Sequence, residues 1–518
     1  MKPKSQMLNY GTVLSQAVRH PANLALTVGL ALAALAIPHA AAGAAELPAA
    51  EEVFQRHVAA IGGAEALNKP HNMVFRGEAD LVPLKAKAPI EFYVQAPDRF
   101  LFRLKYHYAF FGMVKVPFVG VRQPECGFDG TNGWTIDFER RLEPMSSREV
   151  TSFRTLLDKF SPLYASRHFL LARTMGIERF GDHDCYRVMV VLPSGDHAFE
   201  YYDTAGGLLV GTDYPFFESG AWFKVRMVWS DFRRLRSGLR VPYHVDIEFS
   251  GDHYYLRGKD VRIDDSSCVI PASKCTSVAR PTPTLEPESK PAQQIIERYV
   301  EALGGRDAIR SHTSIHISGQ LRFPHNKGFS SPIEIFSART NRFFLQVQVP
   351  EGLHRQGCDG RRFWRATGTD VKFATGKDLE QVLAIHDFTA ELHEPGDYRS
   401  METLGTVKVG GKKCFQVLLI RTNGEVFDEF YDTQTGLLHQ RRRMDEGNGG
   451  WLELVETCED YRRFGNELLP ARQVYAGLGH REELTISKVE WDNVPDTVFD
   501  PPSDLKIALE QKTSAQAN

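Results

Sequence analysis

Cysteine chemistry is what this sequence has least of. Seven cysteines, at 126, 185, 268, 275, 358, 414 and 458, are scattered over 518 residues and no two form a CxxC pair. Structural zinc and thioredoxin-type redox chemistry therefore lack their ligand spacing. A P-loop, a dinucleotide GxGxxG fingerprint, an HExxH pair and a nucleophile elbow are also missing, so no cofactor is expected. Neither sign of charge dominates: 62 Lys and Arg stand against 65 Asp and Glu, for a net charge of −3. Phosphate backbones need a cationic surface, so no nucleic-acid partner is expected. After residue 37 no apolar run is long enough to cross a bilayer as a helix.

One apolar run stands at the start. "LALTVGLALAALAI" (24–37) follows Lys2, Lys4, Arg19 and His20 and precedes "PHAAAGAAE", which holds the small-residue site Ala42-Gly43-Ala44. A basic lead, a short apolar stretch and such a site read as a cleavable secretory signal over 1–44. The mature chain is expected in the periplasm, where disulfides are permitted. Cys268 and Cys275 are close in sequence and are the candidate pair. The odd count leaves at least one free thiol or an intermolecular bond. Cys185 and Cys414 sit inside apolar runs and read as small buried hydrophobes.

What is present in quantity is repetition. "AAIGGAEAL" (59–67) returns as "EALGGRDAI" (301–309). Upstream, Val53, Phe54, His57, Val58 and Ile61 return as Ile295, Ile296, Tyr299, Val300 and Leu303, the spacing of one helical face. Gly62 or Gly63, and Gly304 or Gly305, should end each helix. The match then runs on in register: "PIEFYVQAPDRFLF" (89–102) with "PIEIFSARTNRFFL" (332–345), "GFDGTNGW" (127–134) with "GCDGRRFW" (357–364), "EYYDTAGGLL" (200–209) with "EFYDTQTGLL" (429–438), "DFRRLRSGLRVP" (231–242) with "DYRRFGNELLP" (460–470), and "VRID" (261–264) with "VEWD" (489–492). One order of parts seen twice indicates a duplicated domain, not a solenoid.

Between the helices and the chain's end, β-rich runs alternate with Asp-Gly, Ser-Gly-Asp and Asn-Gly turn signals. "CYRVMVVLPSGDHAFEYYD" and "CFQVLLIRTNGEVFDEFYD" are matching hairpins. A helical stretch lies mid-domain in each half, "SSREVTSFRTLLDKFSPLYASRHF" and "GKDLEQVLAIHDFTAELHE". Each half is thus predicted as α+β: a helix, an antiparallel meander and a helical insert. The Pro-, Ser- and Thr-rich stretch 266–291 reads as a stiff, exposed linker, and its polarity suggests that the domains need not be rigidly docked. The boundaries are 45–265 for the first domain, 292–505 for the second and 506–518 for a disordered tail.

This order of parts resembles the bacterial outer-membrane lipoprotein carriers, the LolA-like family, in two tandem divergent copies. The resemblance rests on the Gly62-Gly63 and Gly304-Gly305 helix ends, the Asp129-Gly130…Trp134 and Asp359-Gly360…Trp364 strands, and the two Tyr-Asp-Thr…Gly-Leu-Leu hairpins. It implies a curved antiparallel half-barrel in each copy, with helices covering the concave face over a hydrophobic cavity. It also implies non-catalytic handling of a hydrophobic small molecule, a lipid or a lipidated protein, with transient contact to a membrane surface.

The halves differ where a ligand would sit. The first carries an insertion, "KYHYAFFGMVKVPFVGVRQ" (105–123), rich in Phe110, Phe111, Met113 and Phe118. "YPFFESGAWF" (214–223) is aromatic where "MDEGNGGWL" (444–452) is polar. Phe110, Phe111, Met113, Phe118, Phe216, Phe217 and Trp222 are therefore the hydrophobic-ligand candidates. Trp134 and Trp364 are expected to face inward, in the core or the cavity wall.

Three other clusters read as structural. His386, Glu391, His393 and Glu394 lack metal spacing and read as a solvated helix end. The "GDH" triplets at 181, 195 and 251 read as turns. The runs Arg233-Arg234-Arg236 and Arg441-Arg442-Arg443 read as solvated strand faces, with anionic head groups as the functional alternative. No catalytic or metal residue is assigned. The leading expectation is a periplasmic carrier of a hydrophobic ligand. The alternatives are an adaptor whose cavities are filled by its own side chains, and an enzyme whose acid and base groups meet only in three dimensions.

Overall fold

The computed structural model of the chain describes residues 47–67, 72–84, 86–95, 99–105, 125–136, 141–146, 149–152, 169–192, 194–218, 221–249, 252–263, 269–272, 285–349, 352–360, 362–367, 370–374, 388–447, 450–477 and 480–500. The expected signal peptide and C-terminal tail, the insertion bearing Phe110, Phe111, Met113 and Phe118, the candidate disulfide Cys268–Cys275 and most of both helical inserts lie outside the described residues.

Each half opens on the helix predicted from the repeat. Helix α1 (Ala50–Ile61) buries Val53, Phe54, His57 and Ile61, and α2 (Ala64–Leu67) follows. In the second half α3 (Ala292–Leu303) buries Ile295, Ile296, Tyr299, Val300 and Leu303, and α4 (Arg306–Ser311) follows. Gly62 and Gly304 end the long helices with φ of 136° and 135°, conformations that a Cβ disfavours. The next N–H groups, of Gly63 and Gly305, return to the carbonyls of Val58 and Val300 at 2.8 and 3.0 Å, which satisfies helix-end acceptors.

The strands of the first half are β1 (Asn72–Leu81), β2 (Ala86–Gln95), β3 (Arg99–Leu104), β4 (Glu125–Phe128), β5 (Gly133–Ile136), β6 (Leu142–Pro144), β7 (Leu171–Phe180), β8 (His183–Val191), β9 (His197–Asp203), β10 (Leu209–Glu218), β11 (Ala221–Arg234), β12 (Arg240–Phe249) and β13 (Asp252–Ile263). Those of the second are β14 (Ser314–Phe323), β15 (Phe329–Ala338), β16 (Arg342–Val349), β17 (Gly352–Asp359), β18 (Phe363–Thr367), β19 (Asp370–Ala374), β20 (Tyr398–Val409), β21 (Lys412–Arg421), β22 (Val426–Asp432), β23 (Leu438–Gly447), β24 (Gly450–Phe464), β25 (Glu467–Gly477) and β26 (His480–Trp491). Among the described residues they form two 13-stranded antiparallel sheets of identical order. Neighbours in sequence pair, and the first strand of each half pairs with its last, β1 with β13 and β14 with β26. Among the described residues neither sheet closes: the strand order ends at β6 and β7 in one and at β19 and β20 in the other, where the sequence places its helical inserts.

The first-to-last pairing carries a matched bulge. The register shifts between Arg76 and Gly77, and between Ser318 and Gly319. A Cβ at Gly77 would run into the Arg257 carbonyl, and one at Gly319 into that of Thr485, so both strands need glycine there. "DFRR" and "DYRR" share a local feature as well: Asp231 and Asp460 have φ of 54° and 53° and drop out of ladders whose register is the same on either side of them. The aspartate-headed turns have a local cause too. Asp129 Oδ1 accepts from the N–H groups of Thr131 and Asn132 at 2.9 and 2.8 Å, and Asp432 Oδ1 accepts from those of Gln434 and Thr435 at 2.8 and 3.2 Å.

Alternation along the strands separates two faces. On one, α1 packs on Phe169, Val188, Tyr202 and Met227, continuous through Leu256 with Met73, Phe75 and Ile90. We call this face the interior. Trp134 lies in a cross-strand row with Val74, Tyr93, Leu101 and Gly127, on the opposite face, where Ile270 covers it. Trp364 lies in the matching row with Phe336, Phe344 and Gly357, covered by Phe499 of the 3-10 turn Asp496–Phe499. Both indoles are buried, and each lies over the space that a Cβ at Gly127 or Gly357 would fill. They pack under the segment that follows their own domain's last strand, not under α1 or α3.

The polar linker suggests loosely docked halves, and the structure differs. Met189, Val191, Phe199 and Tyr201 of the first sheet form one buried cluster with Leu418 and Ile420 of the second. Around it Arg173 pairs with Glu402 at 2.7 Å, and Arg442 with Asp196 at 2.8 Å. Gln416 Nε2 donates to the Gly195 carbonyl at 3.1 Å. The contact is made by strand faces remote from the linker in sequence, so linker composition does not report on it.

Two measurements follow. Trp364→Ala should cost about 3–5 kcal/mol in urea unfolding, and Gly357→Ala about 1–3 kcal/mol, because the added methyl meets the indole. Segments 46–268 and 289–518, expressed separately, should each melt below the intact chain in calorimetry. Melting at the intact temperature would show that the shared cluster contributes nothing.

Candidate functional site

The interior faces of the two sheets have the same register and opposite chemistry. In the first half one cross-strand row runs Glu200, Thr212, Met227, Ile247, Tyr254 from β9 to β13. In the second half the same row runs Glu429, Arg441, Glu456, Tyr475, Glu482 from β22 to β26. The glutamate of "EYYD" and "EFYD" heads both. Beyond it the first domain continues with a hydroxyl, two apolar side chains and a phenol, and the second with an arginine, two more carboxyls and a phenol.

In the first domain, Glu200 is buried and accepts from the Tyr202 and Tyr214 hydroxyls, both at 2.5 Å. The Thr212 hydroxyl beside it is buried without a hydrogen-bond partner among the described residues. The rest is apolar. Tyr214, Phe216, Val225, Met227, Trp229 and Val245 are buried together, with half-buried Ile247, Phe249 and Leu256 against them. Phe216 meets Phe249 edge-on at 6.1 Å. Of the predicted ligand candidates, Phe216 thus sits in this buried apolar cluster. The side chains of Phe217 and Trp222 lie outside the described set, although their backbones pair in the β10–β11 ladder. His57 of α1 accepts from the Leu209 N–H at 3.0 Å. Burial pushes its pKa down to about 4, so it is a neutral acceptor.

In the second domain, the row is an ion-pair network. Glu429, fully buried, accepts from Arg441 Nε at 2.7 Å, from the Tyr431 hydroxyl and from His393 Nε2 at 2.8 Å. Arg441 reaches Glu456 and Glu391, both at 3.1 Å, and the Tyr299 hydroxyl of α3 donates to Glu391 at 2.7 Å. His393 Nδ1 faces the Glu391 carbonyl at 2.9 Å, which can only accept. Its Nε2 faces a carboxylate, so both ring nitrogens hold protons. Burial opposes that charge, yet Glu429 outweighs it and raises the His393 pKa. Burial also opposes ionisation of Glu429, but His393 and Arg441 hold it far below the usual carboxylate range.

Two expectations are corrected here. His393 is not part of a solvated helix end; it is buried, with φ of 47°, and ties the insert to the sheet. Glu391 shares that network, Glu394 pairs with Arg310 at 2.7 Å on the exposed side, and His386 lies outside the described residues. Nor do Arg441 and Arg442 form a solvated strand face or a head-group site. Arg441 is inside the network, and Arg442 is held between Asp428 and Asp196, each at 2.8 Å. The spacing "RRRM" gave no hint, because partners on other strands decided it. Arg233 does behave as an exposed strand residue, paired with Asp231. At 181 and 195 the "GDH" glycines are turn residues with φ of 56° and 83°.

No family model and no curated protein matches the chain. Among solved structures it is similar to a LolA superfamily protein from Nitrosomonas europaea, at 15% identity and TM-score 0.30, over 41% of this chain and 99% of that one. It is similar to an outer-membrane lipoprotein-sorting protein domain from Vibrio parahaemolyticus, as that structure is titled, at 13% identity and TM-score 0.28, over 42% and 98%. It is also similar to the MucA/MucB complex structure of Pseudomonas aeruginosa, at 10% identity and TM-score 0.18, over 64% and 96%.

The His393–Glu429 pair makes stability depend on pH with a defined sign. His393 is raised in the fold, so its contribution is complete below the unfolded value near 6.5 and is lost as pH climbs through the raised one. Glu429 is lowered, so its contribution is complete above the unfolded value near 4.5 and is lost on acidification. His393→Gln should cost about 3 kcal/mol in urea unfolding at pH 6. The gap to the parent should narrow at pH 9. A gap that does not change with pH would show that His393 is uncharged in the fold.

Proposed function

We propose that the chain is a non-catalytic periplasmic carrier of a hydrophobic ligand, a lipid or an acyl chain, free or protein-attached, and that the first domain holds it. One observation carries this reading: beyond Glu200 and Thr212, the interior row that the second domain fills with ion pairs presents Met227, Ile247 and Tyr254 in the first. An adaptor that needed only a filled core would have no use for the difference. Half-buried Ile247, Phe249, Tyr254 and Leu256 lie along the same face and supply the kind of wall an alkyl chain needs. Each square ångström they cover on a ligand contributes roughly 25 cal/mol. Phe110, Phe111, Met113 and Phe118 of the insertion, together with Phe217 and Trp222, are assigned to the lid or rim of this site. Helices over the concave face of a half-barrel belong to the same proposal. Tail-first entry would bring the mouth of the first domain into transient contact with a membrane surface.

An organic extract of the purified protein, read by mass spectrometry, should contain a lipid. An empty extract favours the adaptor. A dansylated fatty acid should bind the full chain, and Ile247→Glu should weaken it at least tenfold without lowering the melting temperature by more than a few degrees. Deleting residues 106–118 should abolish probe binding in a chain that still melts cooperatively. Full binding in both folded variants would sink the assignment of the site to the first domain.

A further inference from the structure

The far end of the second domain's interior row differs from its twin in a directed way. At the rim of the first sheet stand Phe216, Phe249 and Tyr254. The matched ladders put Asp445, Gly477 and Glu482 at the same positions. Two rings and a phenol have been exchanged for two acids and a glycine, whose Cβ position lies 2.6 Å from the Leu454 side chain. Glu482 is the residue of most interest. It is only 6% exposed, and no hydrogen bond or ion pair reaches its carboxyl among the described residues. Its neighbour Glu483, on the other face, pairs with Arg472 at 3.2 Å and Arg481 at 2.8 Å. Alternation along β26 turns Glu482 to the interior with Leu484, where Tyr475, Leu484, Leu321 and Phe323 form an apolar cluster.

The charges around it do not balance. Among the described residues, Glu391, Glu429, Glu456 and Glu482 share the row and its cover with Arg441 and His393 as cations. Arg441 keeps 25% and Glu456 18% of its side-chain surface accessible, though both are deep in the fold, so they border space and not only packed atoms. A buried carboxyl without a partner costs several kcal/mol if ionised. It either takes a proton or waits for a cation. Burial alone raises Glu482 to about 7, and burial with the neighbouring carboxylates raises Glu456.

We propose that the second domain binds an organic amine, with the ammonium on Glu482 at the rim and the apolar part against Tyr475, Leu484 and Phe323. The groups that face Glu482 from the packed strands are Tyr475 on β25, Glu456 on β24 and Phe323 on β14. None of them is a cation that would compete. The two halves then divide amphiphiles by head group, the first taking neutral or acidic chains and the second basic ones. This assignment is independent of the carrier reading of the first domain.

The test uses the full chain with dodecylamine and dodecanoate, each followed by titration calorimetry. The parent should bind dodecylamine. Glu482→Gln should weaken it at least tenfold at pH 8 while leaving dodecanoate binding unchanged. Glu482→Tyr, which installs the twin's residue, should do the same. In the parent, dodecylamine affinity should fall about tenfold from pH 8 to pH 6, because the ammonium must displace a proton held with a pKa of about 7. In Glu482→Gln that dependence should vanish. Unchanged dodecylamine affinity in both variants overturns the site, even where dodecanoate binding supports the carrier reading. A parent that binds dodecanoate and no dodecylamine overturns it as well. Loss of dodecanoate binding alone bears on the first domain and leaves this result standing.

Discussion

The ladder between the first and last strands of each half is the constraint on which the rest depends. Every other pairing joins strands adjacent in sequence and would form in an open meander. The β1–β13 and β14–β26 ladders alone join the ends of each half. They place α1 and α3, which directly precede β1 and β14, against strands from the far end of the same domain. They also move the open edges to the mid-domain inserts. Gly77 and Gly319 show how tightly this junction is specified, since any side chain there would strike the partner strand's carbonyl.

On that frame the two interiors have been put to different uses at matched positions. The shared glutamate of β9 and β22 is tolerated in both because tyrosine hydroxyls bond it. In the second domain, replacing Thr212 and Met227 by their counterparts Arg441 and Glu456 builds a network that needs each member. A buried arginine with three carboxylates is stable only while all of them are present. The second interior is thus held by ion pairs, whereas the first is packed mainly with apolar side chains. The carboxyl of Glu482, unpartnered among the described residues, stands at the far end of the same row.

The interface between the halves has its own logic. Arg442 and Arg441 are adjacent in sequence, yet strand alternation sends one to the opposite domain and the other to the interior. Arg442 meets Asp196 in a turn that its half would otherwise use only to reverse the chain. The interior network and the contact between the domains are thus separated by the thickness of a single sheet.

Read by itself, the sequence determined the duplication, the helix ends at Gly62 and Gly304, the Asp-anchored turns and the order of the hairpins. These are local. A glycine at positive φ or an aspartate bonding its own turn depends on residues a few positions away, and such pairs repeat legibly in both halves. It misassigned His393, Arg441 and Arg442 as solvated, and it did not reveal the contact between the two sheets. It also offered the cavity wall as a place for Trp134 and Trp364, which lie on the other face. In each case the deciding partner is remote in the chain: Glu429 for His393, Asp196 for Arg442, Phe499 for Trp364. Which face a strand residue occupies, and whether a charge is buried with its opposite, are set by register across the sheet. Only the tertiary structure decides that, because a shift of one residue would invert every assignment.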